Sequence, residues 1–251
     1  MKTKSMLFPL LFAALLAISC QGITVVDLNK DTIKPSDVII TDERNVSDFT
    51  GIDMRTFGKL ILSQGNSESL TIKGSDNIVP VIQTTVRDGI LVIQAEEKIN
   101  ITSLDDDNLL TLTIGVKDLS SLTISGAADV EMDNLSTSIL EVAMSGSGQF
   151  VLDDLNADSL NITLSGVGSV EVSGEVTKAW IDIPGAGSVN AGDLKVQSAD
   201  VTISGLGGAT LWVTDQLTGT ISGGGSVSYY GDPVTNTETP GLGKFDSLGS
   251  K

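Results

Sequence analysis

Carboxylates and a few aromatic rings are the groups through which this sequence could do chemistry. Histidine is absent and there is a single cysteine, Cys20. The commonest general base and neutral metal ligand are therefore missing, and neither an internal disulfide nor a thiolate metal cluster can form. Asp105, Asp106 and Asp107, or Asp153 with Asp154, offer oxygens to a hard cation such as calcium. They recur at no fixed interval, and Asp105 to Asn108 reads as a polar loop. Glu131 and Glu171 stand 40 residues apart, and Asp133 and Asp153 stand 20 apart. Paired carboxylates of that kind serve glycan-cleaving enzymes, yet no Arg or Lys column accompanies them, and they read as charges on a solvated face. No catalytic residue, metal or cofactor is expected. The aromatics are few enough for placement to matter: Trp212 and Tyr230 occupy matching positions 18 residues apart, and Trp180 stands alone.

These residues are positioned by a repeat. Gly126, Gly146, Gly166, Gly185, Gly205 and Gly223 are spaced by 20, 20, 19, 20 and 18 residues. Two places before each marker sit Ile124, Met144, Leu164, Ile183, Ile203 and Ile221. Four places after come Val130, Phe150, Val170, Val189, Ala209 and Val227. Polar residues alternate with these columns, the period-two signature of strands with one wet face. Each repeat thus reads as two short strands hinged at a glycine. One such unit cannot bury its apolar face, but stacked copies build a continuous core and pair every strand with the next coil. The expected fold is all-β, a parallel solenoid with coils of about 20 residues. The marker glycines suit turns of positive φ or a close approach of neighbouring coils. Counting from them puts Trp212 and Tyr230 in one outward column, about 4.8 Å apart across adjacent rungs. Two such rings suit a sugar or a protein partner, or packing by the C-terminal tail.

The composition agrees. Aromatics make up 4% and Gly reaches 27 residues, so the core must be Val, Ile and Leu around tight turns. The formal charge is -17, from 32 acidic against 15 basic residues, which excludes nucleic acid as a partner and favours cations, basic proteins or neutral glycans.

Residues 1–19 read as a signal peptide: Lys2 and Lys4 precede an apolar run from Met6 to Ile18. Ala17-Ile18-Ser19-Cys20 resembles a lipobox, which implies acylation of Cys20 and a lipid anchor. Losing Lys2 and Lys4 takes the charge from -17 to -19. Gln21 in place of Asp points to the outer membrane, with the surface and the periplasmic side both open. Residues 20–44 read as a tether, 45–115 as irregular first coils or a small separate β-layer, 116–231 as the regular solenoid, and 232–251 as a tail folding over the last coil.

Arg44 to Phe49 with Gly51-Ile52, the Ser-Gly-x-Gly-Ser-Val units, Tyr230-Gly231-Asp232-Pro233 and Gly241-Leu242-Gly243 together resemble the auto-transporter adhesin head GIN domain family. The resemblance spans Val46 to Leu248 and implies a right-handed parallel β-helix-like fold in exported, often lipid-anchored proteins, with no catalytic residues to carry over. The leading expectation is a non-catalytic lipoprotein that presents its solenoid surface, at Trp212 and Tyr230, to a glycan or protein. The alternatives are a periplasmic structural or accessory protein without external ligand, and a polysaccharide-active enzyme.

Overall fold

The computed structural model describes residues 31–96, 99–101 and 110–251. The signal peptide, Cys20 and the Asp105 to Asn108 loop lie outside the described residues. Eighteen strands and no α-helix are found among those described. Before the regular coils come β1 (Asp31–Ile33), β2 (Ile39–Arg44), β3 (Gly51–Met54), β4 (Phe57–Gln64), β5 (Ser69–Ser75), β6 (Ile82–Arg87), β7 (Ile90–Ala95), β8 (Ile99–Ile101), β9 (Thr111–Val116) and β10 (Ser121–Ile124). The coils follow as β11 (Ala127–Met144), β12 (Ser147–Leu164), β13 (Val167–Ile183), β14 (Ser188–Ile203) and β15 (Gly208–Ile221), then β16 (Ser226–Tyr230), β17 (Val234–Glu238) and β18 (Lys244–Gly249).

From β10 to β18 every pairing is parallel, each strand against its counterpart one coil away, which makes a parallel β-solenoid of about six turns. The hinge differs from the two-strand reading. Each middle coil is one long strand that breaks at the marker glycine and bends elsewhere, with slips in its pairing at some bends. The bends show as slips in the alternation. In β12, Phe150 and Leu152 point inward, Asp153 and Asp154 are both exposed, Leu155 and Ala157 point inward, and Leu160, Ile162 and Leu164 follow after a second slip. Each coil therefore has three inward runs. The middle one escapes a simple period-two count because a corner shifts its phase.

Changes in coil length are absorbed at a corner. The 19-residue step coincides with a register shift between Leu152 and Leu155, and the 18-residue step with shifts between Ala191 and Lys195 and between Val196 and Ser198. Asp153, Asp154 and Asp193 at these corners are exposed, and the inward columns on either side stay in line. One hydrophobic cluster runs from Phe49 to Val227 with Val, Ile and Leu stacked on their own kind.

The marker glycines serve close approach. None of them has positive φ, but a Cβ on Gly146 would lie 1.8 Å from the carbonyl oxygen of Gly126, and one on Gly166 would lie 2.0 Å from that of Gly146. The ladder begins on Thr56, where a Cβ on Gly126 meets its carbonyl, and runs on to Gly241 over Gly223.

Gly241 decides the fate of the C-terminal segment. β17 pairs with β15 and β18 pairs with β16, both in parallel, so residues 232–251 continue the solenoid as a further coil and do not fold over the last one. Within residues 45–115, β3 and β4 form the first rung under β10 and β11, while β5 and β6 add antiparallel partners to β9 and β7 in the same sheet. Within the proposed tether, β2 is an antiparallel partner of β5. The Lys34 to Asp37 turn is pinned by the Asn77 side chain, which donates to the Lys34 carbonyl at 2.8 Å and accepts from the Ser36 amide at 3.1 Å. Alternation in Ile39–Arg44 was masked by its short length and polar residues; pairing to β5 gives its backbone groups partners.

Candidate functional site

The third side of every coil contributes to one continuous outward sheet face, running from β6 through β7, β3 and β10 to β15 and β17. Strand register sets its columns. Ser121, Glu141, Asn161, Trp180, Asp200, Thr218 and Asn236 stand side by side in one. Thr123, Ala143, Thr163, Asp182, Thr202, Thr220 and Glu238 form the next. The backbone beneath is paired on both sides, so these side chains stand on a rigid floor.

Trp180 rises from the middle of this face at 45% exposure, between two shallow grooves. One, of about 150 Å³, is lined by Asn161, Thr163, Asp182, Asp200 and Thr202. The other, of about 250 Å³, is lined by Lys178, Ser198, Asp200, Gln216 and Thr218. The Asn161 carboxamide oxygen is shielded from water and accepts no hydrogen bond. An aromatic plate between rows of short hydroxyl, amide and carboxylate groups can stack on an apolar ring face and bond the hydroxyls at its rim.

Trp212 and Tyr230 are directly paired on β15 and β16, as the repeat count requires. Both rings are half-buried, and the Lys251 ammonium lies over each at 5.2 Å from the ring centre. Lys251 also donates to the Gly192 carbonyl and pairs with Asp193. The ring pair is thus a seat for the C-terminal segment.

The acidic columns are partly neutralised. Glu131 pairs with Lys59 at 2.8 Å, a partner supplied by the first rung and invisible within the repeat. Among the described residues, no three acidic side chains converge in a way that would hold a metal ion. On the first rung, Glu68 accepts from the Asp48 and Phe49 amides at 3.2 and 3.3 Å and from Lys117 at 3.0 Å. The Lys117 hydrogen bond, helped by the Asp48 amide, holds its carboxyl below the usual glutamate range.

In the sequence, Trp180 is a lone surface ring. Its setting was reachable by stepping one coil to each side, to Asn161 and Asp200, but only the pairing shows that the flanking rows form grooves.

A putative adhesin from Bacteroides fragilis has 28% identity and a TM-score of 0.82, covering 86% of this chain and all (100%) of its own. A protein of Parabacteroides distasonis described as a putative lipid binding protein has 20% identity and a TM-score of 0.73, with 87% of this chain and 100% of that one covered. A putative adhesin from Parabacteroides merdae has 21% identity and a TM-score of 0.65, with 87% and 99% covered. The latter two show the shared fold alone. No curated protein matches the sequence. The sequence profile described as putative auto-transporter adhesin, head GIN domain, matches residues 48–233, and the chain belongs to that family.

Proposed function

We propose that this protein is a non-catalytic, lipid-anchored binding protein of the bacterial envelope that recognises a neutral glycan on the sheet face around Trp180. The observation that carries the reading is the exposed Trp180 ring between two grooves lined by hydroxyl, amide and carboxylate groups. Sugars present an apolar C–H face and a polar rim, and ring stacking with short hydrogen bonds suits both. The net charge of -17 favours a neutral ligand over a polyanion on this part of the surface. The lipobox-like Ala17-Ile18-Ser19-Cys20 supports acylation at Cys20, and Gln21 supports the outer membrane as its site. The adhesin names of the family and of the B. fragilis relative agree with binding at the cell envelope. Trp212 and Tyr230 are read as the seat of Lys251, which leaves them free for a ligand only when that contact opens.

The test is titration of the protein with a panel of neutral oligosaccharides, read by tryptophan fluorescence and calorimetry. Saturable binding that falls by about tenfold or more in Trp180→Ala, and is partly kept in Trp180→Phe, is expected. Absence of binding across the panel, or full binding by Trp180→Ala, overturns the reading and favours an envelope accessory role without external ligand.

A further inference from the structure

The same outward face has a further cleft at one end, where the repeat gives way to the antiparallel β6 and β7. It encloses about 230 Å³ and is lined by Asp53, Arg55, Gln83, Thr85, Arg87, Asp88, Ile90, Val92 and Gln94. Register explains why these groups converge. Gln83 faces Gln94, Thr85 faces Val92 and Arg87 faces Ile90 across β6 and β7, while Asp53 stands beside Val92 on β3. All share the outward side.

The chain has three arginines, all between positions 44 and 87, and two of them line this cleft. They are not equivalent. Arg55 is held by Asp53 through its Nε at 2.8 Å and Nη2 at 2.6 Å, which neutralises it and fixes its position. Arg87, exposed at the end of β6, has no carboxylate within ion-pair distance among the described residues. In a chain of charge -17, an arginine without a partner that opens onto a cleft with two amides and a hydroxyl is out of keeping with its surroundings. Arg is suited to planar, bidentate recognition of a carboxylate. Ile90, at 38% exposure, and Val92 offer an apolar patch beside it, and Gln83, Gln94, Thr85 and Asp88 offer partners for hydroxyls.

We infer that this cleft binds a small hydroxylated carboxylate, of the kind found in an acidic sugar, with Arg87 gripping the carboxylate and the glutamines bonding the hydroxyls. The overall negative charge does not oppose this. Asp182 and Asp200 beside Trp180 lie six and seven strands from Arg87's strand, at least about 29 Å at the usual strand spacing, and charge is screened over about 8 Å at physiological ionic strength. The site is independent of the neutral-glycan reading, and the two can fail separately.

The test is calorimetry of the protein with sodium glucuronate, methyl β-glucuronide, glutamate and glucose as probes, on wild type, Arg87→Gln, Arg87→Lys and Trp180→Ala. Saturable binding of the glucuronates at least about tenfold tighter than that of glucose is expected. Arg87→Gln should abolish it, Arg87→Lys should weaken it, and Trp180→Ala should leave it unchanged. Arg87 is exposed on the terminal strand of the sheet, so both of its variants should melt like wild type. Binding of the glycoside as well as the free acid assigns a residue within an acidic glycan, and binding of the free acids alone assigns a free metabolite; both support the carboxylate site. Equal binding of glucose, no saturable binding of any acid, or binding that survives Arg87→Gln overturns it.

Discussion

Replacing Gly146 with alanine tests whether contact between coils dictates the marker glycines. The new Cβ would sit 1.8 Å from the Gly126 carbonyl oxygen, 2.8 Å from its carbon and 2.9 Å from the carbonyl carbon of Ser125. A carbon and a carbonyl oxygen approach no closer than about 3.3 Å without repulsion, so the coils must part locally by about 1.5 Å. All three obstructing atoms are backbone, and no side chain can swing away. Two hydrogen bonds cross this point: the Gly146 amide to the Ile124 carbonyl at 3.2 Å, and the Ser147 amide to the Gly126 carbonyl at 3.0 Å. Overpacking costs about 1–3 kcal/mol and two weakened hydrogen bonds about 1 kcal/mol each, so a loss of about 3–5 kcal/mol is expected. That is a large share of a typical domain's stability of about 5–15 kcal/mol. Urea unfolding followed by the fluorescence of Trp180 and Trp212 measures it. Gly65→Ala is the control, since a Cβ there meets nothing within 4 Å and its effect should stay within about 0.5 kcal/mol. If Gly146→Ala falls within about 1 kcal/mol of wild type, the close-approach argument is refuted and the glycine column needs another cause.

Two further outcomes follow from the ends of the solenoid. Lys251→Gln removes the ammonium over Trp212 and Tyr230 and its ion pair with Asp193; stability should drop by about 1 kcal/mol and the Trp212 emission should shift towards that of a solvated ring, with unchanged spectra counting against the contact. Because the folded carboxyl of Glu68 is held below its ordinary range, its ionised form stabilises the fold above that range, and the contribution is lost as pH falls through the depressed value. Melting temperature should therefore fall as pH drops below the ordinary glutamate range, and Glu68→Gln should flatten that fall; parallel curves would contradict it.

The repeat was legible because solenoid stacking imposes one rule on every coil. Val130, Phe150 and Val170 share a column in the sequence and adjacent positions in space, since each strand's partner lies one repeat away. The same arithmetic predicted the pairing of Trp212 with Tyr230. It did not reveal the third inward run through Leu135 and Leu155, because corner residues such as Asp153 and Asp154 shift the phase. Nor did it extend to Gly241, whose coil buries few large side chains and so lacks the apolar columns that mark the others. The N-terminal elements were harder still: β2 joins β5 across some 30 residues by backbone pairing that leaves little trace in side-chain pattern.

Taken by itself, the sequence determined the all-β solenoid, its coil length, two of its three inward runs, and the lack of any histidine or second cysteine. These follow from composition and from a periodicity that local stacking preserves. Tertiary structure decided which outward residues meet. It seated Lys251 on the aromatic pair, set Trp180 between two grooves and placed Arg87 and the two glutamines around one cleft. Those contacts join residues on different coils or on antiparallel strands, where side chains facing water are under no packing demand that would write their neighbours into the sequence.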